Sequence, residues 1–207
     1  MKKITIALLC LLKLAAYSQH YPFETAFTRG TIIFRDSTQK NGLLKWFPSQ
    51  DEKLKFKDSE KGDTKKYTPD DIFGFRCDTL KFVSLHNIEV YAAQFAILGK
   101  PLKIRHIFGQ IIDSGRFNIY LVFVTDYNPI AQSIQTFPNY IFEKKYDSAT
   151  QYAAYPVAVR MRDKKFEKAK EPLFGFFREY PEIVNKLKDY KKEDDFETVI
   201  SLMRRQN

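Results

Sequence analysis

The 207-residue chain holds two cysteines, Cys10 and Cys77, and eight glycines. Cys10 falls in the N-terminal apolar run, and Cys77 alone cannot make an internal disulfide, so the fold must rest on packing. So little glycine argues against a disordered or linker-like chain. Histidine is as scarce. His20, His86 and His106 stand far apart, and no HExxH or CxxC spacing accompanies them, so no metal or other cofactor is expected. There is no G-x-S-x-G elbow, and Gly99-Lys100 lacks the upstream glycine of a phosphate loop. No apolar run reaches the roughly 20 residues of a membrane-spanning helix.

What is present begins at the N-terminus. Lys2 and Lys3 precede the apolar run Ile4 to Leu12, and Ala16 and Ser18 set small residues at −3 and −1 of a cleavage site. That is the anatomy of a secretory signal peptide over residues 1–18. Cys10 follows Leu9 in mid-run, which argues against lipid modification there. Loss of Lys2, Lys3 and Lys13 with the leader takes the formal charge from +9 to +6. Cys77 is then the remaining thiol, read as a small core residue rather than a reactive group. Localisation is expected to be exported: periplasm, envelope or extracellular.

The positive charge is spread along the chain. Its nearest approach to a nucleic-acid footprint, Lys100 to His106, is short and alternates like a strand, so nucleic acid is not the expected partner. Asp70-Asp71 reads as the capping of a helical start after Thr68 and Pro69 rather than as an acid/base pair, because adjacent helical side chains diverge. Glu193-Asp194-Asp195 lacks the alternating ligands and glycine of a calcium loop and reads as a helix start.

Periodicity predicts many strands. Thr28 to Arg35 is followed by a turn containing Asn41-Gly42 and a return strand from Leu43 to Phe47. Lys53 to Lys57 alternates strictly. Strands are further predicted over 75–77, 80–91, 102–112, 116–125, 140–146 and 155–162, with 117–124 apolar on both faces, as a central strand would be. Helical spacing follows at Phe166, Ala169, Leu173 and Phe177, with Pro172 expected to split or start a segment. A second helix opens at Pro181. The third carries Phe196, Val199, Ile200 and Met203 on one side, after an Asp194/Glu197 capping pair. The expected class is α+β: an antiparallel sheet or incomplete barrel over residues 19–165, packed by a helical extension over 166–207.

Gly30-Thr31-Ile32, Gly42, the Tyr67 to Ile72 segment followed by Gly74-Phe75, Tyr180-Pro181-Glu182 and the terminal Arg205-Gln206-Asn207 carry a resemblance. In these the chain resembles a loose group of secreted Bacteroidota proteins, over roughly residues 27–91 and 173–207. The resemblance implies an exported, envelope-associated setting and no catalytic residue.

The expected function is therefore non-enzymatic contact with an envelope protein, polysaccharide or lipid surface. Lys103 and Arg105 on one strand face, with Lys144 and Lys145 and with Arg160 and Arg162 on neighbouring strands, form the expected anionic contact surface. The plain alternative is that these are ordinary solvated strand faces. The alternative function is a small secreted hydrolase whose site assembles only in three dimensions.

Overall fold

The computed structural model describes residues 21–49, 53–90, 101–128, 132–145, 150–155, 163–191 and 196–206. Residues 1–20, Arg160, Arg162 and the acidic run at 193–195 lie outside them.

Ten antiparallel strands form one open sheet in the order β10-β9-β8-β7-β6-β5-β1-β2-β3-β4. They are β1 (Thr28–Ile33), β2 (Gln39–Lys45), β3 (Leu54–Lys57), β4 (Lys65–Tyr67), β5 (Gly74–Cys77), β6 (Leu80–Val90), β7 (Leu102–Ser114), β8 (Asn118–Asn128), β9 (Ser133–Lys145) and β10 (Thr150–Ala154). Three helices follow: α1 (Asp163–Phe176), α2 (Pro181–Asp189) and α3 (Glu197–Gln206). This is the expected α+β architecture, with the sheet left unclosed. Among the described residues no helix is long and apolar enough to cross a membrane.

Three apolar clusters follow from strand alternation. One lies over β1 to β7, where Trp46, Phe56, Phe75, Phe82 and Phe108 gather around Tyr21 and Phe23 of the segment before β1. A second, with Leu85, Ile104, Ile107, Val122 and Ile141, lies on β6 to β9, where β10 swings back toward β6. The third joins Phe117, Ile119 and Phe142 to all three helices. Strand β8 therefore buries Ile119 under the helices and Tyr120, Val122 and Val124 in the second cluster. Its apolar residues on both faces have that cause.

Several local expectations change. Asn41-Gly42 lies inside β2, with Gly42 opposite Gly30 of β1. The turn falls earlier: Ser37 takes φ 67°, and Asp36 Oδ1 accepts from the Thr38 amide at 3.0 Å and hydroxyl at 2.6 Å. Gly42 serves close strand approach instead, since a Cβ there would lie 2.3 Å from the Lys57 carbonyl oxygen. The Thr68 to Ile72 segment is a single turn rather than a helical start. Asp71 Oδ2 accepts from the Thr68 amide and hydroxyl, both at 2.7 Å, and β5 follows at once. Strand β9 begins at Ser133, well before Tyr140, and β10 occupies 150–154, so the strand expected over 155–162 falls largely outside the described residues. Helix α1 runs through Pro172.

Candidate functional site

Of the cations named from sequence, Arg160 and Arg162 lie outside the described residues, and the other four fall at two ends of the sheet. Lys103 and Arg105 are more than four-fifths exposed, yet each has a carboxylate at 3.7 Å, Glu89 and Asp70 respectively. They sit near the start of β7, the end at which Asn128 of β8 pairs with Ser133 of β9. Lys144 and Lys145 close β9 at the opposite end, beside the Asn118–Glu143 pair. Lys145 is exposed, but Lys144 is buried. Its Nζ donates to the Phe176 carbonyl at 2.6 Å and lies 5.0 and 5.2 Å from the Phe176 and Tyr180 ring centres. It caps the negative end of α1, which carries no basic residue in its own last turn. Sequence spacing alone could not separate a solvent-facing lysine from a capping one.

Register assembles a different basic face. Lys45 of β2 pairs with Lys55 of β3, and Lys55 pairs with Lys66 of β4. Their neighbours Leu44, Leu54 and Phe56 are buried in the first cluster, so the three lysines occupy the other face. One row along, Arg29 pairs with Leu43 and Leu43 with Lys57. Lys57 Nζ lies 4.8 Å from the Phe27 ring centre. Arg76 of β5 opposes Lys81 of β6 on the same face. Among the described residues none of these seven cations has an acid within ion-pair distance. Like charges directly opposite across strands destabilise a sheet. A concavity of about 560 Å³ opens there, lined by Arg29, Thr31, Asn41 and Leu43 and by the acidic Asp58 and Glu60.

The second assembly joins two of the three histidines. His86 of β6 and His106 of β7 are direct cross-strand partners. Alternation slips beside them: Leu85 and Ile88, three apart, share one apolar cluster, as do Ile104 and Ile107. Asn87 takes φ 54° at that slip. Both imidazoles then meet the loop between β4 and β5. His106 Nδ1 lies 2.8 Å from Asp70 Oδ2, and His86 Nδ1 lies 3.4 Å from Asp70 Oδ1. Arg35 fixes the loop through the Asp70 carbonyl (Nε, 2.8 Å) and the Pro69 carbonyl (Nη2, 2.8 Å), and Nη2 reaches His86 Nε2 at 3.1 Å. Arg can only donate, so His86 Nε2 accepts and its proton sits on Nδ1, toward Asp70. Burial first, then the Arg35 charge, holds the His86 pKa below its ordinary value. His106 Nε2 has no partner among the described residues. Asp70 and Asp71 diverge, one to the histidines and the other to Thr68.

Two further groups serve the fold. Glu143, buried on β9, accepts from Asn118 Nδ2 and the Tyr120 hydroxyl at 2.6 Å and from the Tyr152 hydroxyl at 3.0 Å, tying β8, β9 and β10 together. Burial and this carboxylate raise both tyrosine pKa values. Cys77 is buried with its thiol 3.3 Å from the Arg29 carbonyl, and burial raises its pKa, which disfavours the reactive thiolate. Comparison with known proteins finds no matching family model, curated protein or solved structure.

Proposed function

We propose that this is an exported, non-enzymatic binding or accessory module of the cell envelope that holds an anionic component through the basic face of β1 to β5. The observation that carries the reading is the Lys45–Lys55–Lys66 row. Three cations stand in direct register with no acid at ion-pair distance among the described residues, an arrangement that costs the fold stability and that a polyanionic partner would relieve. The signal-like leader and the resemblance to secreted proteins support an envelope setting. Lys103 and Arg105 are secondary, since Glu89 and Asp70 already offset them. The test is cosedimentation of the purified protein with isolated envelopes. Retention should fall as salt is added, because exposed charge contacts are screened. It should fall more for K45E/K55E/K66E than for K103E/R105E. Retention indifferent to salt and to both variants would refute the reading.

One observation favours a hydrolase as the second reading: Asp70 orients His106 through Nδ1 and leaves Nε2 open, the arrangement of a general base. Turnover of a generic ester, peptide or glycoside substrate, lost in His106→Ala, would establish it.

A further inference from the structure

We infer that the occupant of the basic face is a linear acidic polysaccharide, lying across strands β2, β3 and β4 with its carboxylates along Lys45, Lys55 and Lys66. This rests on the binding reading above and specifies its partner. Three features choose a polymer of charged sugars. The row runs perpendicular to the strands, so its positions repeat at the strand spacing, about 4.8 Å. A chain with one carboxylate on each ring meets such a row repeatedly, and linked weak contacts then sum to useful affinity. The face also carries a concavity of about 560 Å³ that begins one row along, at Leu43 and its β1 partner Arg29. A groove receives a chain better than it receives a planar bilayer. Finally, Phe47 follows Lys45 by two residues and is 47% exposed, one of two large apolar side chains so exposed among the described residues. An exposed ring beside cations suits the apolar face of a sugar as well as its charge. Asp58 and Glu60 also line the concavity; Asp58 is held by Lys40 at 2.8 Å, which offsets its repulsion of a polyanion, so the polymer's carboxylates are met by the lysine row rather than by the concavity.

The experiment titrates purified full-length protein with polygalacturonate, with neutral dextran and with phosphatidylglycerol vesicles. The expected result is saturable, salt-sensitive binding of polygalacturonate, none of dextran, and weaker binding of vesicles. K45Q/K55Q/K66Q should lose roughly tenfold or more in affinity for polygalacturonate, the order expected when several charge contacts are removed. Thermal melting of that variant serves as the fold control. It should melt at or above the wild-type temperature, because like-charge repulsion is relieved. If the variant fails to fold, Phe47→Ala and the salt dependence of the wild type decide in its place. Wild-type affinity for polygalacturonate equal to that for dextran, or vesicles bound more tightly than the polymer, overturns the inference. Failure with polygalacturonate alongside salt-sensitive envelope retention rejects the polysaccharide and leaves the binding reading standing. Loss of both rejects both.

Discussion

His86 and His106 face each other across β6 and β7 and direct their Nδ1 atoms at the same carboxylate, Asp70. The arrangement makes stability respond to mild acid. Burial, and then the Arg35 charge, hold the His86 pKa in the folded protein below the unfolded value of 6.5. The unfolded chain binds that proton more readily, so this contribution is complete above the unfolded value and is lost as pH falls through the lower folded value. The melting temperature should drop between neutral pH and about pH 5, and His86→Gln should flatten that drop. An unchanged pH profile in the variant would show that His86 is not the responding group.

Lys170 of α1 is wholly buried, and its ammonium reaches the C-terminal end of α2. It donates to the carbonyls of Leu187 at 2.9 Å and Tyr190 at 2.6 Å, and pairs with Glu167 at 3.0 Å. Lys170→Met keeps the volume but strands those carbonyls. Unmade buried hydrogen bonds cost more than the packing restores, so a loss of about 2–4 kcal/mol is expected in chemical denaturation. A neutral or stabilising result would mean the carbonyls find other donors.

Glu143 receives three neutral donors from β8 and β10. In Glu143→Gln an amide nitrogen faces donors where a carboxylate oxygen accepted them. The expected cost is about 1–3 kcal/mol, with faster hydrogen exchange along β10 as the local readout.

Helix α3 closes the third cluster. Phe196 is buried and its ring stacks on Tyr155 with centroids 3.5 Å apart, while Val199 and Met203 are fully buried. Phe196→Ala should cost about 3–5 kcal/mol. Removal of α3 by truncation after Lys191 should lower the melting temperature sharply. A truncated chain that melts like the full one would show α3 to be independent of the sheet.

Much of the fold was legible because alternation reports burial directly. Leu54 and Phe56 read as core-facing, and so they are. Val199, Ile200 and Met203 read as one buried stripe, and α3 buries them. The site was less legible because it depends on which strands are neighbours. Lys45, Lys55 and Lys66 lie 10 or 11 positions apart in the chain and meet only through pairing registers. His86 and His106 meet across a similar register, at a slip in alternation that no local pattern announces. Lys144 looked like its neighbour Lys145, and only the helix above it distinguishes them. Asn41-Gly42 has the composition of a turn, but the close approach of β3 claims the glycine.

An acidic polymer lying on the Lys45–Lys55–Lys66 row would shield those three amines from solvent. Competitive lysine acetylation read by mass spectrometry, with and without polygalacturonate, tests it residue by residue. Lys45, Lys55 and Lys66 should become protected while Lys103 and Lys145, at the ends of other strands, react as before. Uniform protection of all lysines, or protection confined to Lys103 and Lys145, would contradict it.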